Sequence, residues 1–593
     1  MSDSKNNTSA KQETILKGIG VSAGIVMGKA YVVNLKRPKP KRYQLKKKDI
    51  KAELDRFDYS VSYVQQDLEN IREKVKSLPS ETQEDASILL DTHIAMLKGS
   101  RLIRGVIKRI EENLENAEWA LAEEMNFLVD EFSKVPDTYI KARIDDIEAV
   151  GNRVIRNLMK LPYLPLDEVP KGGLIFARDI SPAATIMIDP KKVSGIATMR
   201  GGPTGHTAIM ARGLGLPAVL GIQNLIDYVQ QGDEAIIDGG QNLVILHPTD
   251  VTKATYKSLQ LQYKAEQKDL STLKRKKAET SDGVEIQLRA NLETPREVDG
   301  ALKSGADGIG LFRTEFMFMN KRILPDEEEQ YQTFKDCLKK LKGKPMTIRT
   351  LDIGGDKLVR ALGQEIEHDS NPALGLRAIR LSLKRPDLLI TQFRAMLRAS
   401  AHGYIRILLP LVTTADEFIQ AREIYDQTLQ DMQESGIAMA KRPPPLGCMI
   451  EVPAAALAAD SLAIEADFFA LGTNDLTQYT VAIDRANEQV SDMFDHLNPA
   501  VLRMIEFTYQ AAKRAGIPIS ICGEMAADPR LTGLLFGIGL RDFSVGTGAL
   551  LRIKQRIRQI DSKAAIAHAD QVMSQNDRKT IEVLIQNFNI DIL

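Results

Sequence analysis

The sequence predicts an α/β chain in two parts: a C-terminal (β/α)8 barrel, and an N-terminal β/α domain interrupted by a helical bundle. Three observations carry this reading. After Gly283, short β-branched runs alternate with helical stretches eight times. Short Gly-broken β runs also stand on both sides of a long stretch of helical period. Finally, 593 residues exceed what a single hydrophobic core organises, so several compact units are required.

Taken in order, residues 1–14 (MSDSKNNTSAKQET) are polar and are expected to be a disordered extension. Residues 15–33 (ILKGIGVSAGIVMGKAYVV) carry β-branched runs broken by Gly and read as two short strands. Between 38 and 161 the pattern changes. A basic, proline-containing lead-in (KRPKPKRYQLKKKD) is followed by apolar residues at helical spacing: Ile88, Leu89, Met96 and Leu97, then Leu102, Ile103, Val106 and Ile110. This is read as an inserted helical bundle. Strands resume at 173–177, 194–198, 218–220, 234–238 and 243–246, so 15–37 and 162–250 are assigned to one β/α domain around the insertion. Residues 251–280 are polar, Lys-rich and free of Gly and Pro, as in a long connecting helix. Over 281–593 the candidate strands are 284–292, 307–312, 345–350, 406–412, 446–451, 467–472, 519–523 and 542–546. Eight strands with helical spacers predict a barrel, with a doubly wound open sheet as the alternative.

Composition narrows the function classes. Lys plus Arg and Asp plus Glu are both 79, giving zero formal charge, which argues against nucleic acid or a membrane surface as the main partner. There is no apolar run of 18 residues and no apolar signal core near the start, so a cytoplasmic protein is expected. Cys337, Cys448 and Cys522 are widely spaced and form no CxxC, which disfavours a disulfide framework or a zinc site.

Several chemically loaded residues fall at or just after the carboxyl ends of the barrel strands: Arg313, Arg349, Glu451, Asn474 with Asp475, and Cys522. In a barrel these ends share the face on which active sites are built. A lone strand-end Arg reads equally well as a surface salt bridge, and a Cys in a β run as buried filler. Five strand ends bearing such groups are not accounted for that way. Glu451 and Asp475 offer two carboxylates for one Mg²⁺, which takes its other ligands from water and a phosphorylated substrate. Arg313, Arg349 and Arg485 offer planar forks for phosphate and carboxylate oxygens. A substrate bearing both groups beside a thiol points to phosphoenolpyruvate.

The blocks GIGLFRTEF (308–316), RTLDIGGDK (349–357), NPALGLRAIR (371–380), IEVPAA (450–455), GTNDLTQYTVAIDR (472–485) and CGEMA (522–526) resemble the Enzyme I family of the phosphoenolpyruvate-dependent sugar phosphotransferase system. More distantly they resemble pyruvate phosphate dikinase and phosphoenolpyruvate synthase. The resemblance runs from about Gly18 to Arg558. It implies that Arg313, Arg349, Asn474, Asp475 and Arg485 bind phosphoenolpyruvate, that Glu451 and Asp475 bind Mg²⁺, and that Cys522 protonates the enol carbon. It further implies dimerisation through the barrel and a swivelling phosphohistidine domain.

His206 lies in GGPTGHTAIMARGLGLPAVLG (201–221), a Gly-rich loop running into a short helix. A phosphoryl group on its ring would meet backbone N–H groups and the positive end of that helix. By itself the segment also fits a turn with an incidental His; it resembles the family's phosphohistidine motif, with Thr185 matching a threonine that orients the ring. The family usually carries Arg and Ser at the positions of Pro203 and Gly205, and an acidic residue at Met199. The resemblance implies transfer from phosphoenolpyruvate to His206 and then to the histidine phosphocarrier protein HPr, docked on the bundle at Glu84, Asp85 and His93. Beyond Leu97 the family continues with acidic residues, whereas this chain has Lys98, Arg101, Arg104, Lys108 and Arg109. These cations are either matched by acidic or neutral residues on the carrier or form a solvated face.

Two other readings are weighed. A dikinase or synthase needs an ATP-grasp domain, for which 38–161 is too short and too helical, and no GxxxxGK[ST] motif is present. A regulatory, non-transport paralogue is disfavoured by the retained His206, Cys522, carboxylates and arginines, and by the lack of an N-terminal sensory domain.

Overall fold

The computed structural model describes residues 12–33, 38–75, 90–133, 138–161, 169–180, 188–202, 206–318, 324–354, 371–485, 490 and 493–590. The chain divides into two compact units, Met1–Glu266 and Gln267–Leu593.

The first unit contains an eight-stranded sheet in the order β1-β8-β7-β3-β4-β5-β6-β2. Its strands are β1 (Thr14–Lys17), β2 (Ile19–Ser22), β3 (Ile25–Val33), β4 (Gly173–Ala177), β5 (Val193–Thr198), β6 (Ala218–Leu220), β7 (Glu234–Asp238) and β8 (Leu243–Leu246). Residues 15–33 thus give three strands with the chain's first element, where two were expected. The chain reverses at Gly24, whose φ of +134° is open to glycine. β1 and β2, adjacent in sequence, lie at opposite edges of the sheet, paired with β8 and β6. Thr14 already pairs with Leu246, so order begins inside the segment expected to be disordered; residues 1–11 of that segment lie outside the described residues.

Between β3 and β4 the chain forms helices Ile50–Val75, 90–97, Arg101–Asn113, Ala117–Ser133 and Thr138–Leu158. Leu97, Leu102, Ile103, Val106 and Ile110 are buried with Phe57, Val61, Leu68, Leu121 and Val154 in one core. The helical spacing read from the sequence therefore marks its inner face. Ser100 caps helix Arg101–Asn113, its Oγ accepting from the Ile103 N–H at 3.4 Å. The cations on this helix are largely engaged inside the chain. Arg101 Nη2 donates to Glu131 at 2.7 Å, and Arg109 Nε to Glu124 at 2.9 Å. Arg104 Nη1 donates to the Gly99 carbonyl at 3.0 Å.

The connecting helix runs Asp250–Thr272, followed by a 3-10 turn at Leu273–Arg275. It is shorter than 251–280, because Ala278 is already tied to the next unit's sheet region, its carbonyl accepting from Ile286 N–H. The division between the units falls within this helix.

The second unit is a closed barrel of parallel strands: β9 (Gln287–Leu292), β10 (Ile309–Arg313), β11 (Met346–Arg349), β12 (Ile405–Leu409), β13 (Leu446–Ile450), β14 (Phe469–Gly472), β15 (Ile519–Cys522) and β16 (Asp542–Gly546), with β16 pairing back onto β9. The open-sheet alternative is excluded by that closure. β12 stops at Leu409 instead of 412: Pro410 has no N–H to continue the ladder, and Leu411 turns the chain at φ +54°. Alternate strand residues separate into two clusters. Phe312, Leu409, Ile450, Leu471 and Ile521 pack in the main core, while Leu311, Leu408, Met449, Phe468, Ala470 and Cys522 pack with one another. This is the period-two alternation of a barrel wall. Among the described residues no helix is long and apolar enough to cross a membrane.

Candidate active site at the carboxyl ends of the barrel strands

Parallel closure puts every strand's carboxyl end on one face, and the residues singled out from the sequence arrive there together. Arg313, Arg349 and Cys522 are the last residues of β10, β11 and β15. Glu451 follows β13, and Asn474 and Asp475 open helix Thr473–Val481 after β14. Arg485 lies just past the end of that helix and forms an ion pair with Asp475, its Nη2 3.2 Å from Oδ1.

Three carboxylates converge here, two of them expected. Oxygens of Asp352, Glu451 and Asp475 lie within 4.8 Å of one another. Asp352 was not singled out, although it stands in RTLDIGGDK. It lies three residues beyond the end of β11, past the positions that the strand-end rule marks. Glu451 is buried, with Oε1 accepting the Leu411 N–H at 2.7 Å. Burial, reinforced by Asp475 and Asp352, pushes its carboxyl up to about 8. Asp352 is also buried, yet Arg349 and Arg377 outweigh that burial and hold its carboxyl below the usual range. A group of hard oxygen donors that raises the proton affinity of one of its own members fits a small divalent cation such as Mg²⁺.

The cations form a second layer. Arg349 is buried and donates from Nη2 to Glu315 at 2.7 Å, with Nη1 at 2.9 Å from Asp352. Arg377, missed in the sequence because it lies in a helix-entry loop far from any strand end, donates from Nη2 to Asp352 at 2.7 Å and lies 3.9 Å from Asp475. A β-bridge between Gly354 and Arg377 sets it there. Arg313 Nη1 reaches Glu293 at 2.7 Å. The Nε atoms of Arg313, Arg349 and Arg377 are buried without a hydrogen-bond partner.

Cys522 is buried, and its Sγ lies 3.1 Å from the Leu471 carbonyl as donor. Burial, then the negative field of Glu451, pushes the thiol up to about 12, so it keeps its proton at neutral pH. Asn474 is held in one amide orientation, because its Oδ1 accepts the Glu524 N–H at 2.9 Å and its Nδ2 donates to Glu524 Oε1 at 3.3 Å.

His206 is the first residue of helix His206–Leu214, as the loop-to-helix pattern predicts. Ala208 and Ala211 of this helix pack on the sheet side, while Met210 is buried in the core of the helical bundle. The bundle is thus seated against the helix that His206 opens. Thr185, Pro203, Gly205, Glu84 and Asp85 lie outside the described residues. His93 departs from expectation. It is buried in the bundle, with Nε2 3.1 Å from Asp146 Oδ1, so its ring is not displayed to a docking partner. Its place in DTHIAML is the inward side of the helix at 90–97, between the core residues Leu90, Ile94 and Leu97.

Comparisons with known proteins agree with this layout. The chain matches the family models described as PEP-utilising enzyme, PEP-binding domain (residues 267–562), N-terminal (17–143) and mobile domain (169–242). It is 39% identical to a phosphoenolpyruvate-protein phosphotransferase of Cupriavidus necator, over 95% of this chain and 97% of that one. It is 37% identical to one from Bacillus sp. (strain S), over 95% and 96%. Among solved structures it is similar to an NMR solution structure of Enzyme I, at 31% identity over 42% of this chain and 99% of that one, with a TM-score of 0.38. The chain belongs to the phosphoenolpyruvate-protein phosphotransferases, the Enzyme I family of PEP-utilising enzymes.

Proposed function

We propose that the chain transfers the phosphoryl group of phosphoenolpyruvate to His206 and from there to a histidine of the phosphocarrier protein HPr, with Mg²⁺ at the barrel site. The observation that carries this reading is the convergence, on one barrel face, of four arginines, three carboxylates and a protonated buried thiol. Arg313, Arg349, Arg377 and Arg485 bind the phosphate and carboxylate of the substrate, and Asn474 donates to an anionic oxygen. Glu451 and Asp475, with Asp352 beside them, hold the Mg²⁺, which when bound neutralises charge on the phosphate. Neutral His206 attacks phosphorus in line, and the bridging P–O bond breaks with its electron pair passing to the enolate oxygen. Cys522 gives its proton to the enolate carbon, yielding pyruvate and making the step favourable.

The unit bearing His206 swings between the barrel and the carrier, which docks on the helical bundle beside helix His206–Leu214. Residues 15–37 with 162–250 act as the swivelling phosphohistidine domain, and 38–161 as the carrier-binding insertion. Association through the barrel as a homodimer and a cytoplasmic location complete the reading. The test is labelled phosphoenolpyruvate with Mg²⁺: His206→Ala is expected to abolish acid-labile, base-stable incorporation, and label appearing on another histidine overturns the assignment.

A further inference from the structure

Past the last ladder bonds of β10 and β11, two buried polar side chains take over from the sheet. Arg313 and Arg349 are direct register partners on these strands. Thr314, wholly buried, follows Arg313 and donates from Oγ1 to the carbonyl of Arg349 at 3.0 Å. Gln392, also buried, reaches in from helix Pro386–Ala399 on the outside of the barrel. Its Oε1 accepts the Leu351 N–H at 2.9 Å, and its Nε2 points to Thr314 Oγ1 at 3.4 Å. The next residue, Glu315, holds the far end of Arg349 at 2.7 Å and accepts the Asp352 N–H at 3.2 Å. Arg349 is therefore gripped at its backbone by Thr314 and at its guanidinium by Glu315. The Gln392 amide meanwhile fixes the chain leaving β11 to the chain leaving β10.

We propose that Thr314 and Gln392 are positioning residues that set the spacing of Arg313 and Arg349, and so make the site selective for ligands carrying two separate anionic groups. Two guanidiniums on adjacent strands serve one small anion at many spacings, but they serve a carboxylate and a phosphate on one short molecule at only one. Parallel strands lose their mutual restraint where the ladder ends, and a shift of about 1 Å at a binding group costs up to about 10²-fold. A hydroxyl and an amide with no exposure, linking two strand ends under the arginines, supply that restraint without touching the ligand. This rests on the reading of the site as one for phosphoenolpyruvate.

The test uses the full chain with Mg²⁺ and two probes, phosphoglycolate with two anionic groups and inorganic phosphate with one. Thr314→Val keeps the side chain's shape and removes the hydroxyl; Thr314→Ser keeps the hydroxyl; Gln392→Met removes the amide. Thr314→Val and Gln392→Met are expected to weaken phosphoglycolate about tenfold, the worth of one buried hydrogen bond, with less than about threefold change for phosphate. Thr314→Ser is expected to bind both probes like the parent chain, and the KM for phosphoenolpyruvate is expected to follow phosphoglycolate with kcat little changed. Equal weakening of both probes, or a serine variant as impaired as valine, overturns the proposal and leaves the pair a packing feature. If the parent chain binds neither probe, the reading of the site as one for phosphoenolpyruvate falls, and this selectivity with it. Parent binding with unmoved variants sinks this proposal alone.

Discussion

At the scale of single residues the site depends on groups whose protonation is set by burial. Cys522 sits among Leu311, Leu408, Met449, Phe468 and Ala470. That apolar layer keeps it a thiol and hence an acid. Cys522→Ala is expected to retain phosphoenolpyruvate binding while steady-state turnover falls about 10²–10⁴-fold, the usual cost of losing a general acid; a near-parental rate in a pyruvate-release assay returns the residue to packing. Glu451 carries the opposite consequence. Its carboxyl is raised from 4.5 to about 8 in the folded chain. The folded state thus holds a proton that the unfolded chain releases, so this group stabilises fully at pH below its ordinary value. That contribution is lost as pH rises through about 8. Metal-free protein is expected to melt at falling temperature as pH is raised over this range, and Glu451→Gln to flatten the slope; parallel melting curves for the two proteins would show that Glu451 titrates elsewhere.

Strand ends are the elements on which this chemistry stands, and their backbone geometry limits which side chains they tolerate. Gly472 closes β14 directly beneath Glu451. A Cβ there would lie 2.7 Å from Glu451 Oε2, 2.8 Å from its Cβ and 3.0 Å from Met449 Cε. All three distances are shorter than ordinary contact, and Glu451 is already pinned by the Leu411 N–H. Gly472→Ala therefore moves the carboxylate rather than finding space. Mg²⁺ affinity, read by titration calorimetry, is expected to fall on the order of tenfold or more, as when other supports of a metal ligand are removed. Unchanged affinity would show that Glu451 swings aside without cost and is not needed in this position. Helix His206–Leu214 is the corresponding element of the first unit. Small residues let it lie close on the sheet, and Met210 inserts into the bundle, coupling the expected phosphate carrier site to the expected docking insertion.

For the whole molecule, the barrel site and His206 belong to different compact units. On the proposed reading, binding and phosphoryl acceptance are separable. The His206→Ala chain is expected to bind phosphoenolpyruvate with an affinity within about twofold of the parent, since nothing that faces the ligand in the barrel changes, although its labelling is lost. A joint loss of binding and labelling, seen by calorimetry alongside the label assay, would mean that the first unit contributes to the resting substrate site.

The sequence by itself determined the barrel and which of its candidate residues gather at the carboxyl ends of the strands. β-branched runs separated by helices leave few topologies, and in a parallel barrel a residue at a strand's carboxyl end has only one face to occupy. Arg313, Arg349, Glu451, Asp475 and Cys522 were legible for that reason, and His206 because a Gly-rich loop before an apolar helical pattern marks a helix start. Only the tertiary structure decided what depends on contacts distant in sequence. Asp352 and Arg377 join the site through the β-bridge between Gly354 and Arg377 and the ion pair it allows. Gln392 enters it from an outer helix whose amphipathic pattern marks a buried face but not the polar partners waiting there. His93 shows the same limit from the other side: a matching motif placed it at a partner surface, and packing of the helix at 90–97 turned it inward onto Asp146. Local pattern fixes which residues lie on a strand end or helix face, whereas the partners of a buried polar group are fixed only when separate elements close around it.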